Sequence, residues 1–254
     1  MDAITITKTS DHANILLDDE AIGRAVQANQ HLIIDHNEGV LLDPGGAKAF
    51  RRVYPATLQA LGTKQLRHIF FSHQDPDIIA AANGWLTATN ATAHISALWL
   101  RFVPHFGLDS ATSESLSPIP DEGMVLPVGE TELAILPAHF LHSSGNHQVY
   151  DPITKVLYSG DLGASLGQPY REVTDFDAHL AYMTGFHQRY LASGKACRMW
   201  AAMVRKLDIE IIAPQHGALF RGKDLVNRFI DWVDGLQCGV DIMPAFDLPP
   251  GFKG

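Results

Sequence analysis

At four separate places in this chain an apolar run of strand character stops and histidine or aspartate takes over. Ile69-Phe70-Phe71 leads into Ser72-His73-Gln74-Asp75-Pro76-Asp77, and Leu133-Ala134-Ile135-Leu136 leads through Pro137-Ala138-His139-Phe140-Leu141 to His142. Val156-Leu157-Tyr158 leads into Ser159-Gly160-Asp161, and Ile209–Ala213 into Pro214-Gln215-His216-Gly217. A carboxylate at the end of a buried strand is costly without compensating positive charge, and core packing gives no reason to repeat the arrangement. A pair of metal ions supplies the compensation. The chain is thereby constrained to a fold that gathers several strand ends in one place.

The first of these segments is the densest. His73, Asp75 and Asp77 alternate, and in an extended loop alternate side chains face the same way. Pro76 fixes its own φ and biases Asp75 toward an extended backbone, after which Asp77 can open a helix through Ile78-Ile79-Ala80. An imidazole with two carboxylates suits a hard or borderline cation better than a soft one.

Around these segments the chain reads as two β-rich halves, each followed by helices. Ile4–Thr7, Asn14–Leu17, His31–Ile34 and Gly39–Leu42 are short β runs separated by turns, a meander. A helix is predicted over 47–62, with Phe50, Val53, Leu58 and Leu61 on its apolar stripe and Pro55 breaking or kinking it. Strand Arg67–Phe71, a helix from Pro76 to Ala88, strand Ala91–Ile95 and a short helix Ala97–Val103 follow. Residues 104–124 carry Pro, Ser, Gly and acids without periodicity and read as a long loop. The second half repeats the order, with Asp151–Thr154 turning a hairpin, helices over 175–193 and 195–206, and a last helix Leu225–Leu236. That succession is expected of a helix–sheet–sheet–helix sandwich.

Composition narrows the function. With 254 residues, 46% hydrophobic and 19% charged, the chain can bury a sizeable core. The formal charge of −9 argues against nucleic acid as a main partner. No apolar run approaches the roughly 20 residues that span a bilayer, and the start lacks the basic and apolar regions of a signal peptide, so a cytoplasmic protein away from membranes is expected. Cys197 and Cys238 form no metal or disulfide pattern and read as buried thiols.

The series His73-x-Asp75-x-Asp77, His142, Asp161 and His216 resembles that of metallo-β-lactamase-fold proteins and spans most of the chain. Within that superfamily the chain is most similar to the lactamase-like domain of flavodiiron proteins and to their stand-alone relatives, the oxygen-binding diiron proteins. Ser72–Asp77, Asp151-Pro152 through Asp161, and Ala213–Gly217 carry the likeness. The resemblance implies an α+β fold, the metallo-β-lactamase αββα sandwich of two mixed sheets flanked by helices, as one domain over residues 1–254. It also implies that one metal takes His73, Asp75 and His142, the other Asp77 and His216, with Asp161 bridging. Two iron ions are implied, with manganese or zinc as alternatives.

Two departures from the zinc hydrolases matter. Those enzymes usually have His where Asp75 and Ile78 stand here; a carboxylate in place of imidazole favours iron or manganese, and Ile78 coordinates nothing. Flavodiiron proteins more often have Glu where Asp75 stands. The second metal is left with an open position. Among the other histidines, His139 reads as a solvent or core residue, with support or replacement of a ligand as the alternative, and His147 reads as structural. His187 and Tyr190 lie on a helix that can face the site, and Asp161 and Tyr190 are the candidate catalytic residues. Asp43 is expected to hydrogen-bond a turn.

The resulting expectation is a non-haem diiron protein that binds or reduces dioxygen or another diatomic ligand. No phosphate loop for FMN is found, so an external electron donor or a chemoreceptor-type signalling partner is implied, and a homo-oligomer is expected. The alternative is a binuclear metal-dependent hydrolase acting on an ester, thioester or lactam through a bridging hydroxide.

Overall fold

The computed structural model describes residues 2–19 and 26–252. In sequence order, β1 (Asp2–Lys8), β2 (His12–Asp19), β3 (Ala28–Asp35), β4 (Glu38–Leu42), β5 (Gln65–Phe70), β6 (Thr92–Ser96) and β7 (Leu116–Ile119) form a seven-stranded sheet. A six-stranded sheet contains β8 (Met124–Val128), β9 (Thr131–Pro137), β10 (His147–Asp151), β11 (Val156–Gly160), β12 (Ile211–Pro214) and β13 (Phe220–Arg221), in the order β13-β12-β11-β10-β9-β8.

Each sheet joins a meander to a parallel portion. β1 to β4 pair antiparallel and β4 to β7 parallel; β8 to β11 pair antiparallel and β11 with β12 parallel. Parallel neighbours need crossovers, and helices supply them. α1 (Phe50–Leu61) links β4 to β5, while α2 (Pro76–Ile79) and α3 (Ala82–Ala88) link β5 to β6. α4 (Ser110–Ser113) precedes β7, α5 (Phe176–Tyr190) and α6 (Gly194–Val204) link β11 to β12, and α7 (Lys223–Gly235) follows β13. Because β4, β5, β11 and β12 all end at the same edge of the sandwich, so do the chain segments that leave them.

Three apolar layers hold the sandwich together. Ile33, Phe70, Leu133, Val149 and Ile211 meet between the sheets. Leu32, Val53, Ile69, Ile78 and Trp85 join the first sheet to its helices, and Leu157, Met183, Trp200, Ile212 and Phe229 join the second sheet to its own. β3 is buried at every position, because both its faces are covered.

At the edge remote from the strand ends that carry His73 and Asp161, a polar contact crosses between the sheets. His12 Nδ1 lies 2.9 Å from Asp35 Oδ1, and its Nε2 lies 2.7 Å from Asp151 Oδ2. Asn14 and Thr154 also donate to Asp151, and the Glu130 N–H donates to Asp35.

Several expectations need correction. α1 runs through Pro55 without a break, because Val53, Thr57 and Leu61 anchor it on the sheet, whereas Leu58 stands 42% exposed and lies off the buried stripe. The helix expected from Pro76 to Ala88 is divided at Ala80-Ala81. Residues 97–102 make turns that lead into a 3₁₀ turn at Val103–Phe106 rather than a helix. The predicted loop over 104–124 contains α4 and β7.

Candidate metal centre

The backbone that delivers the first three residues behaves as Pro76 requires. Asp75 is extended (φ −65°, ψ 147°), and Asp77 falls in the first turn of α2. His73 is buried, and Ile78 turns inward to the helix-side core with no exposed surface. From the second sheet, His142 leaves the 138–142 loop after β9, Asp161 directly follows β11, and His216 stands two residues beyond β12. Each sheet thus contributes three of the six side chains.

The structure brings all six together. His142 Nε2 lies 3.1 Å from Asp75 Oδ2 and 3.9 Å from Asp161 Oδ2, and His73 Nε2 lies 3.6 Å from Asp75 Oδ2. His216 Nε2 lies 3.4 Å from Asp77 Oδ2 and 3.5 Å from Asp161 Oδ1. Ligand atoms of His73, His142 and Asp161 all fall within 4.8 Å of one another. The two oxygens of Asp161 therefore face different groups, Oδ2 toward His142 and Oδ1 toward His216.

Neighbouring groups fix the orientation of the imidazole rings. His73 Nδ1 lies 3.0 Å from Ser72 Oγ, and the Ser72 N–H donates to Asp43 Oδ1 at 2.7 Å. His216 Nδ1 donates to the Gln27 carbonyl at 2.6 Å. Both rings consequently present Nε2 to the pocket, the arrangement by which metal-binding histidines are commonly fixed. Gln74 ties two loops together: its Nε2 donates to Asp75 Oδ1 at 3.0 Å and its Oε1 accepts from Ser143 Oγ at 2.7 Å.

The pocket favours positive charge. The hydrogen bond from His142 and the neighbouring His73 imidazole hold Asp75 well below the usual carboxylate range. Burial opposes charge on His216, yet the Asp77 hydrogen bond and the Asp161 charge push it up to about 9. His73 is raised in the same way against its burial, by Asp75 and Asp161. Buried Asp43 is pushed up to about 6 by desolvation, against the hydrogen bond from the Ser72 N–H.

The donor set fits a pair of hard cations. His73 Nε2 and Asp161 Oδ1 are buried with no hydrogen-bond partner, an expensive condition unless something positive meets them. Carboxylate oxygen and imidazole nitrogen are the donors that suit iron or manganese.

The remaining candidates separate. The Tyr190 ring packs edge-on to His142 with centroids 5.4 Å apart and stacks on Phe186 at 4.8 Å, so it stands at the rim of the pocket. His187 faces away: its Nδ1 donates to the Met183 carbonyl at 2.7 Å and its Nε2 accepts from the Gly163 N–H at 2.8 Å, anchoring the loop after Asp161. His139 Nε2 donates to the Asp121 carbonyl and His147 Nε2 to the Pro120 carbonyl. Sequence reasoning missed Ser72, Gln27 and Gln74 as supports, and only Ser72 and Gln74, which flank His73, left a signal to find.

Fold and site together define a metallo-β-lactamase-like αββα sandwich with a two-centre His/Asp pocket. The family model of the ODP family beta lactamase matches residues 26–217, and the chain belongs to that family. Among solved structures, it is 39% identical to the peroxy diiron species of the chemotaxis sensor ODP, covering 95% of this chain and 98% of that one at a TM-score of 0.85. The apo state of the chemotaxis sensor from T. denticola matches with the same identity and TM-score, covering 97% of that chain. A flavodiiron protein from Giardia intestinalis shares the fold at a TM-score of 0.76 and 17% identity, over 92% of this chain and 59% of that one. An uncharacterized protein of Methanocaldococcus jannaschii is 23% identical over 212 residues, and this chain spans about half (52%) of its length. No described helix is long and apolar enough to cross a membrane.

Proposed function

We propose that the chain is a diiron protein that binds dioxygen and reports it to a signalling partner. One observation carries the reading. Asp161 directs its two oxygens to two separate His/Asp groups, in a chain 39% identical to a chemotaxis sensor seen as a peroxy diiron species.

His73, Asp75 and His142 would hold one iron and Asp77 and His216 the other, with Asp161 shared. Two ferrous ions would supply reducing electrons and a coordination position for a diatomic ligand. The chain's own residues do the rest. The Gln27 carbonyl keeps the proton of His216 on Nδ1, so that its Nε2 lone pair faces inward, and Ser72 Oγ holds the His73 ring by Nδ1 with Nε2 toward the pocket. Ile78 offers no donor beside Asp77, which leaves that side of the pocket under-supplied. The stacked Phe186–Tyr190 pair covers His142 and limits water on that flank. Three carboxylates among the six favour iron over zinc, and with it oxygen chemistry over hydrolysis.

The test is metal analysis of anaerobically purified protein followed by an oxygen titration. About two irons per chain are expected on the diiron stoichiometry of such sites, with an absorption change that saturates as oxygen is added. Zinc content with ester turnover would overturn the reading.

A further inference from the structure

A groove of about 700 Å³ runs along α6, and none of the six metal-pocket residues lines it. Lys195, Met199 and Met203 form one wall; spaced by four positions, they share a face of the helix. From the first to the last of them the helix rises about 12 Å, which an extended hydrocarbon chain of about ten carbons spans. Phe140 and Leu141, from the loop that ends at His142, form the other wall. The two walls are stitched together through Ala192, between α5 and α6. Its N–H donates to the Phe140 carbonyl at 3.2 Å, and its carbonyl accepts from the Val240 N–H at 3.0 Å.

Phe140 is the unusual member of this lining. Its φ of 66° is a left-handed backbone that asparagine or glycine adopts readily and a bulky side chain rarely does. The residue is also 51% exposed, so core packing does not account for the strain. Strain held outside the core points to function, and here it presents an aromatic ring to the groove. Met199, 66% exposed, faces the groove with an unbranched side chain that adapts to what it meets. Charge gives the groove a direction. Lys195, in the first turn of α6, has no ion-pair partner among the described residues. The carboxylate at the groove, Asp121, belongs to the loop wall, where its carbonyl accepts from His139.

We propose that the groove binds a free straight-chain monocarboxylic acid of about ten carbons, with its carboxylate on Lys195 and its chain along Met199 and Met203 against Phe140. The volume is that of small-molecule pockets, which are mostly apolar with a few polar groups that fix orientation. Apolar walls select a hydrocarbon, and their length along α6 selects an unbranched one. The cation at one end and the acid on the loop wall select a single anionic head and set which end it takes.

The experiment is calorimetric titration of the metal-loaded full chain with sodium decanoate. One saturable site is expected, weakened about four-fold for each methylene removed from the acid. Acetate, which has the head group without the chain, should give no binding, which separates the groove from the metal pocket. Met199→Glu places a negative charge in the wall and should abolish binding. Lys195→Glu should weaken decanoate several-fold and leave 1-decanol unchanged. Phe140→Asn should lose binding while its melting temperature holds or rises, a combination that a purely structural role would not give. Absence of saturable binding would overturn the proposal, whether the groove stays empty or a second copy covers it. An affinity indifferent to chain length, or undiminished in Met199→Glu, would overturn it too. Preference for phosphatidylcholine vesicles over free decanoate would overturn it in favour of a lipid surface. The titration consumes no oxygen and reads no metal signal, so its failure leaves the diiron reading standing.

Discussion

His12→Leu probes the contact that ties the sheets together at the edge remote from the metal pocket. Leucine is close to histidine in volume, so the change removes charge and hydrogen bonds while leaving little cavity. Truncating one partner of a buried ion pair costs about 3–5 kcal/mol. Here Asp151 keeps Asn14, Thr154 and the Ile153 N–H, and Asp35 keeps the Glu130 N–H and His36. The loss is therefore expected near the lower end, about 3 kcal/mol. With an unfolding entropy of about 2.1 cal/mol/K per residue over 254 residues, the melting temperature should fall by about 6 °C.

The pH dependence follows from the same groups. Burial works against charge on His12, but Asp151 and Asp35 outweigh it and raise its pKa above 6.5. Its contribution is therefore full below that pH and lost as pH rises through the raised value. Burial likewise opposes charge on Asp35 and Asp151, yet the Glu130 N–H, His36 and His12 lower the first and His12 and Thr154 the second, from 3.8. Their contribution is present above 3.8 and lost as pH falls through the lowered values. The gap between the unmodified chain and His12→Leu should thus be widest between pH 3.8 and 6.5 and narrow on either side. Urea unfolding across this range measures it. Equal stability of the two proteins, or a gap that ignores pH, would refute the reasoning.

Asp161→Ala should abolish binding of both metal ions, whereas Asp77→Ala should leave one in place; metal stoichiometry by mass spectrometry separates the two. Gly217→Ala should cost about 2–3 kcal/mol, because Gly217 sits at φ 87° and a Cβ there would collide with Ser165; thermal melting reads the loss. Tyr190→Phe should keep the oxygen-binding rate, since the ring stays over His142, and Tyr190→Ala should change it by opening that flank; stopped-flow absorbance decides. Cys197 and Cys238 lie 3.8 Å apart, are fully buried, and have thiol pKa values pushed up by burial, so neither should react with a thiol reagent until the chain is denatured.

Much of this arrangement was legible before any coordinates. The strand ends near Phe71, Leu136, Tyr158 and Ala213 could be read because apolar runs stop abruptly there, and their acids and imidazoles demanded a common partner. Two of the missed strands, β7 and β8, share a cause. β7 contains Pro118 and β8 contains Pro127, and proline argues against a strand unless that strand lies at a sheet edge, where both of these do. Edge position depends on the whole topology, so local composition could not reveal it. The supports of the metal pocket were hidden for a similar reason. The carbonyl that orients His216 belongs to Gln27, 189 residues away, and a backbone acceptor leaves no trace in residue type. Leu58 shows the opposite failure: periodicity placed it on the stripe, but α1 buries the face of Val53, Thr57 and Leu61 and leaves Leu58 in solvent.

His73, Asp75 and Asp77 hang from one sheet, and His142, Asp161 and His216 from the other. Any cation shared among them is a rivet through both layers, while the His12 contact closes the far end like a clasp. Chelation would leave the clasp and remove the rivet. Deuterium uptake should then quicken in the segments after β5, β9, β11 and β12 and stay slow around Asp35 and Asp151, so that the layers part from one side only.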